Sequence, residues 1–388
     1  MPYLINRIAI NNIALYIFTI LFFAAPLIVC PQEPSAESLK PGQIKTNLYY
    51  KEMEVRFSNK NIKLAGTLSI PFSQMKHPAV ILISDKGAQK RNNNNQGFEI
   101  FRILADNLTR NNFVVLRLDD RGTGGSGGKT ESSSLKDLSS DISKAVNFLK
   151  SRPEVDPEHI GLLGHGQGGL IAAMTAASNP GDIDFIILSS TGVLPEDKLL
   201  VAEFKNLLSS EGRSNEFIQS YIQALQKYFD LVRSGISKGL IKTKLYQYIL
   251  NNYDKMPAPI KREFPKKIKY AKTSTDRIFK ETYTSNLKDF LNIDPIGIFQ
   301  NIKCPVLAVF GGKDIEVTAD ENKAALTEAL NKGGNKALSI RVFPDANHLF
   351  QTAETGSKQE YPQLKKDFLP GYIDCLNEWL RDLFPQEN

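Results

Sequence analysis

The chemistry in this sequence gathers around Ile160-Gly161-Leu162-Leu163-Gly164-His165-Gly166-Gln167-Gly168-Gly169-Leu170-Ile171-Ala172. A short apolar run reads as a buried strand, a glycine cluster follows, and an Ala-rich stretch reads as a helix. That strand–turn–helix is the setting of the nucleophile elbow, Gly-x-Ser-x-Gly, whose central serine attacks an acyl carbon. The central residue here is Gly166, which carries no nucleophile. Two further groups stand after apolar runs. Asp314 follows Val306 to Phe310 on a Gly311-Gly312 turn, and His348 follows Ser339 to Phe343. Functional groups in open α/β sheets collect beyond the carboxyl ends of the strands. A carboxylate and an imidazole placed there suit a general base oriented by an acid and aimed at the elbow. Taken singly, Asp314 serves equally well as a turn residue and His348 as a polar loop residue. Three strand ends in one chain order give them their chemical reading. Asp345 is a weaker acid candidate, being only three residues from His348. Ser84 and Ser126 lie on loops but not on an elbow, so neither is expected to replace the nucleophile. His165 precedes the elbow and is expected to point away from it, packed and hydrogen-bonded.

The elements that must position these groups are legible from pattern. Residues 51–58 and 62–70 alternate apolar and polar around Asn59-Lys60-Asn61, as an antiparallel hairpin with one solvated face would. Pro71 stops the second strand. Ala79 to Ser84 and Phe113 to Leu118 are continuous apolar runs of the kind buried on both faces of a sheet. Phe101, Leu104, Ala105 and Leu108 recur at helical spacing between them. Leu135 to Leu149 carries one apolar helical face, with Ser134 and Asp137 as a capping pair. Ile160 to Leu163 and Phe185 to Leu188 bracket the elbow helix. From 194 to 301 strand patterns give way to helical ones rich in Lys, Tyr and Gln. Residues 261–280 hold eight Lys/Arg against two acids, which reads first as a solvated helical face. The α/β rhythm then resumes, with strands at Val306–Phe310 and Ser339–Phe343, a helix at Ala319–Leu330, and a last helix at Ile373–Leu383. Strands alternating with helices give an α/β fold, a mostly parallel sheet with helices on both faces. The expected organisation is 1–30 signal or anchor, 31–48 linker, 49–193 first core part, 194–301 helical insertion and 302–388 second core part.

At 388 residues, with 41% hydrophobic and 23% charged, the chain has room and composition for a large packed core. A net charge of +6 with no basic stripe interleaved with aromatics argues against a nucleic-acid partner. Arg7 followed by the uncharged, mostly apolar stretch Ile13 to Cys30 reads as an export signal, long for a signal core and near the lower limit for a membrane span. The expected location is therefore outside the cytoplasm, periplasmic or membrane-anchored, and cleavage versus membrane association through this segment stays open. Leu27 to Cys30 only faintly approximates a lipid-attachment box, since Val29 stands where a small residue is preferred. Cys304 and Cys375 read as buried free thiols. Four histidines without Cys/His clusters make a zinc site improbable, and no cofactor is expected.

The order elbow, Asp314, His348 is that of the α/β-hydrolases. The stretches LAGTLSIP, LRLDDRGTGGSGG, VDPEHIGLLGHGQGG, IKCPVLAVFGGKD and ANHLFQTAETGSKQEYP resemble bacterial members of the serine esterase and S33-peptidase-like type. The resemblance runs from about Tyr49 to Leu383. It implies carboxylic-ester hydrolysis by a serine, with Asp314 as acid, His348 as general base and 194–301 as a helical lid. It also implies a small-molecule ester or acyl ligand. Two departures qualify it. Gly166 stands where the family has serine. The loop Ser84-Asp85-Lys86-Gly87-Ala88 stands where relatives carry a small Gly/Ser turn donating a backbone N–H to the oxyanion. Lys86 N–H and Gln167 N–H are the expected oxyanion donors, and the Asp85 carboxylate would repel a developing oxyanion. Loss of a serine nucleophile costs about 10⁶ in turnover, on the order of 8 kcal/mol of barrier. Two readings remain: an ester hydrolase by descent whose activity is strongly reduced or lost, with slow hydrolysis by a water in the vacated space as its residue, or a pseudo-enzyme that binds an acyl or ester-like ligand.

Overall fold

Nine strands form one twisted sheet in the computed structural model, which describes residues 44–282 and 287–385. The export and anchor reading of residues 1–30 lies outside the described residues. The strands are β1 (Ile44–Thr46), β2 (Tyr50–Asn59), β3 (Ile62–Pro71), β4 (His77–Ile83), β5 (Val114–Leu118), β6 (Val155–His165), β7 (Phe185–Ser189), β8 (Val306–Gly311) and β9 (Leu338–Phe343). Their order across the sheet is β1-β2-β3-β5-β4-β6-β7-β8-β9. The first three strands and the β3–β5 pair are antiparallel, and every pair from β5 to β9 is parallel. This is the α/β-hydrolase fold.

The apolar runs split between the two faces with the period of two that a strand imposes. Ile81, Ile83, Leu116, Leu162 and Leu188 pack on one face with the helices Leu135–Lys150 and Gln167–Ser178. Val80, Leu82, Val115, Leu163 and Ile187 pack on the other with Ile100–Arg110 and Tyr372–Leu383. The hairpin forms in the expected place, but β3 is buried along nearly its whole length rather than on one face. It lies inside the sheet, between β2 and β5, where helices approach. The capping pair is present: the Ser134 hydroxyl accepts the Asp137 N–H at 3.2 Å, and the Asp137 carboxylate accepts the Ser134 N–H at 3.0 Å.

Between β7 and β8 the described chain is helical, with its own apolar cluster around Phe204, Tyr221, Leu225, Phe229, Leu245 and Ile278. The basic run sits on the helices Ala258–Glu263 and Lys267–Thr282. Its charges meet neighbouring acids: Arg277 pairs with Glu211 at 2.6 Å and Lys267 with Asp254 at 2.6 Å. The solvated-face reading accounts for it. Cys304 and Cys375 are free and half-buried rather than fully buried.

Candidate active site

The parallel strands end on one side of the sheet, and the groups singled out in the sequence converge there. β6 runs into Gly166, whose φ of 54° and ψ of −120° turn the chain sharply into the helix Gln167–Ser178. A side-chain-bearing residue is strained in that region of φ, whereas glycine occupies it freely. The flanking glycines permit the strand, helix and neighbouring loop to touch. A Cβ on Gly164 would lie 2.3 Å from the Gly168 carbonyl oxygen, and one on Gly168 would lie 2.1 Å from the Ile83 carbonyl oxygen.

Asp314 and His348 meet at the ends of β8 and β9. His348 Nδ1 lies 2.8 Å from Asp314 Oδ2, and both side chains are almost fully buried. The other oxygen of Asp314 accepts the N–H groups of Glu316 and Val317 at 2.9 and 3.0 Å, so the loop after β8 fixes the carboxylate. Asp345 takes no part in this contact; it is exposed and lies 3.4 Å from Lys313. The Ser84 hydroxyl donates to Asp120 at 2.8 Å, and the Ser126 hydroxyl donates to the Asp119 carbonyl at 2.7 Å. Both serines are thus committed to bracing loops.

The space above Gly166 is filled by protein. A Cβ built there would lie 2.1 Å from Asp85 Oδ1 and 2.4 Å from its Cγ. The carboxylate of Asp85 therefore stands where a nucleophile side chain would be. One of its oxygens accepts the Gln167 N–H at 2.8 Å, the donor expected for an oxyanion. The other lies 3.5 Å from His348 Nε2, an ion pair longer than a hydrogen bond. This corrects the expectation of a vacated space open to a water. It also explains the changed loop, since Asp85 fits only where residue 166 has no side chain.

His348 therefore sits between two carboxylates. Burial pulls its pKa down, but Asp314, Glu316 and Asp85 outweigh that and hold it well above the usual imidazole range. Burial likewise works to raise Asp85, but His348, Lys86 and His165 outweigh it and hold the carboxyl well below its usual range. Lys86, the other expected oxyanion residue, lines the same space and sends its ammonium to Glu316 at 3.2 Å and Glu203 at 3.6 Å. Lys358 joins them, 2.8 Å from Glu316. Glu196, on the helix Glu196–Ser210, also lines the site, and burial raises its pKa to about 7 against the pull of Lys86. Glu196, Glu203, Glu316 and Lys358 carry no motif spacing and escape a reading of the sequence.

His165 departs from its expected orientation. It is buried and bonded to Ser189 Oγ at 3.3 Å, as a structural histidine should be, yet its ring centroid lies 4.9 Å from that of His348. Burial and the charge of His348 lower its pKa to about 4, so it packs as a neutral ring. Beside the site opens a cavity of about 460 Å³, walled by β-strand ends, the 84–88 loop and the inserted helices; Leu118, Ile142, Ile171, Leu200 and Phe290 give it an apolar side, and Asp85 and Gln167 reach its edge. Asp120 lines it too, accepting the Gln89 N–H at 2.9 Å, with its carboxyl raised to about 7 by burial.

Comparison with known proteins agrees with this architecture. The family model described as serine aminopeptidase, S33 matches residues 97–246, and the dienelactone hydrolase family model matches residues 291–370. The chain is 24% identical over 318 residues to esterase EstD of Thermotoga maritima, covering 82% of this chain and 65% of that protein. It thus spans just under two thirds of the length of that relative. It is 34% identical over 85 residues to the putative hydrolase YtaP of Bacillus subtilis, 19% of this chain and 28% of that one. The crystal structure of the hypothetical protein PA2218 from Pseudomonas aeruginosa superimposes with a TM-score of 0.51 at 17% identity, covering 87% of this chain and 94% of that one. The chain has the α/β-hydrolase fold and is similar in sequence to the S33-like and dienelactone-hydrolase family models and to an esterase.

Proposed function

We propose that this chain descends from serine ester hydrolases, that it no longer performs serine-type acyl transfer, and that its cavity receives a small, largely uncharged ester- or acyl-like ligand. The observation that carries this reading is the Asp85 carboxylate in the nucleophile's place, bonded to Gln167 N–H. Two things follow from it. An acyl oxyanion would meet a carboxylate on its donor, and there is no hydroxyl for His348 to deprotonate. Between the two readings of the sequence, the ligand-binding one is favoured over slow hydrolysis by a water, because Asp85 fills the space that water would need. Asp314 would then orient and charge-balance His348, and the inserted helices would act as the lid over the ligand. Export, with the N-terminal segment cleaved or retained as an anchor, belongs to the same proposal and rests on the sequence of residues 1–30.

A fluorophosphonate probe tests this reading, alongside p-nitrophenyl acetate and butyrate. The expected results are no labelled residue and no ester turnover above buffer. Stoichiometric labelling of the unaltered chain, or ester turnover abolished by His348→Ala, would overturn it.

A further inference from the structure

We propose that the edge of the sheet opposite the site is a docking surface for a phospholipid bilayer, so that the anchored chain lies on the membrane with its cavity turned toward solution. The proposal rests on the export reading in its anchored form and adds the face that meets the lipid. Large exposed apolar side chains are not scattered evenly over the described residues: four of the eight, Leu48, Tyr49, Phe72 and Met75, lie at one corner. Leu48 is 90% exposed and Met75 75%. β2 and β3 bring them together, since Tyr50 stands opposite Pro71 and the Phe72 N–H donates to the Tyr49 carbonyl at 3.4 Å. Hydrogen bonds hold the corner in shape without burying it. Asn47 Oδ1 accepts the N–H groups of Tyr49 and Tyr50 at 2.8 Å each, and the Met75 N–H donates to Ser73 Oγ at 3.1 Å. Apolar side chains fixed outward in one patch mark an interaction surface.

Two observations select lipid over a second copy of the chain. The first is the tether. Only the thirteen residues 31–43 separate the apolar stretch 13–30 from β1, and even fully extended they span at most about 45 Å. A bilayer holding that stretch is therefore always within reach of the corner, and tethering lets a small patch suffice where a free partner needs a larger one. The second is the rim of the patch. Lys76 is exposed, and the Arg110 guanidinium lies 4.0 Å over the Tyr49 ring while pairing with Asp106 at 2.9 Å. Cations and an aromatic ring beside bare aliphatic side chains suit the boundary between lipid headgroups and acyl chains. The sheet then sets the orientation. β3 runs antiparallel to β5, with Gly66 opposite Leu118 and Ser69 opposite Val115. β5 ends at the site, so β3 leads away from it and Pro71 lies at the far edge. The inserted helices leave from the end of β7, which is paired with the end of β6 at the elbow. Bilayer contact at the corner thus leaves the cavity and lid in solution, and the ligand arrives from the aqueous phase rather than from the lipid.

The test reconstitutes the full chain in vesicles of phosphatidylethanolamine and phosphatidylglycerol, with and without brominated acyl chains. Phe72→Trp and Leu240→Trp place an added tryptophan at the corner and on the lid helix Lys238–Asn252, where Leu240 is exposed. Each is read against the unaltered chain, whose one tryptophan is Trp379. The expected result is bromine quenching and a blue shift of the emission added at residue 72, and neither at residue 240. Leu48→Glu combined with Met75→Glu should abolish that quenching in the Phe72→Trp chain, with the melting temperature kept because neither residue is buried. A chain that floats with the vesicles while residue 72 stays unquenched overturns the docking alone, and equal quenching at residues 72 and 240 overturns the orientation. A chain that does not float overturns the anchored reading together with the docking. A blue shift at residue 72 that grows with protein concentration in the absence of vesicles assigns the patch to a second copy and also overturns the proposal. These failures are separable from failure of the proposed loss of serine chemistry, which shows as fluorophosphonate labelling or p-nitrophenyl ester turnover.

Discussion

Restoring the serine alone should not restore ester hydrolysis. In Gly166→Ser the new Cβ would stand 2.1 Å from Asp85 Oδ1, against 3.4–4 Å for ordinary contact, so the carboxylate must withdraw by more than an ångström. Withdrawal breaks the 2.8 Å bond from Gln167 N–H and the approach to His348 at 3.5 Å. A charged hydrogen bond is worth about 1.5–3 kcal/mol, and a side chain at φ near 54° adds strain of about 1–3 kcal/mol. The sum is about 2.5–6 kcal/mol, which lowers the melting temperature by roughly 5–12 °C at about 2 °C per kcal/mol. Asp85→Gly combined with Gly166→Ser removes the clash and frees the Gln167 donor. Only the strain at residue 166 and the loss of the Asp85 ion pair then remain. Scanning fluorimetry and p-nitrophenyl acetate turnover on the unaltered chain, both single variants and the double variant read this out. The double variant should hydrolyse the ester, and Gly166→Ser should be both destabilised and slow. A Gly166→Ser protein that melts at the original temperature, or that matches the double variant in turnover, would refute the occupancy of the nucleophile's place by Asp85.

Three further outcomes follow from buried charge. Asp314→Asn leaves His348 without its nearest counter-ion and should cost about 3–5 kcal/mol in urea unfolding, with the His348 imidazole titrating lower by NMR. Arg121→Ala strands the buried Asp141 carboxylate, which Arg121 now meets at 2.5 and 2.8 Å, and should cost a similar amount. Asp120 has its folded pKa raised to about 7, above the unfolded value near 3.9, so the folded state binds this proton more tightly. Its contribution to stability is fully present at pH below about 4 and is lost as the pH rises to about 7. Between pH 8 and 6 the melting temperature of Asp120→Asn should therefore gain less than that of the unaltered chain. Glu196, raised in the same direction, and His165, lowered to about 4, act equally in both proteins and cancel from the difference.

Much of the architecture is written in local pattern. The continuous apolar runs at 79–84 and 113–118, the capping pair Ser134 and Asp137, and the glycines around residue 166 each follow from the steric and burial demands of one element. The order elbow, Asp314, His348 is equally one-dimensional, because parallel strands bring successive carboxyl ends to the same edge. That much needs only the chain's own sequence: the fold, the elbow, the acid and the imidazole. Long-range contact decided the rest. The solvated face expected for β3 is covered because helices distant in sequence approach both sides of the sheet. His165 faces His348 because the end of β6 and the loop after β9 meet, with a ring separation of 4.9 Å. The sequence could register Asp85 and Gly166 only as two separate departures, 81 positions apart. The tertiary structure makes them a single change, since the carboxylate of one occupies the volume that the other leaves, and volume is a property only the folded chain possesses.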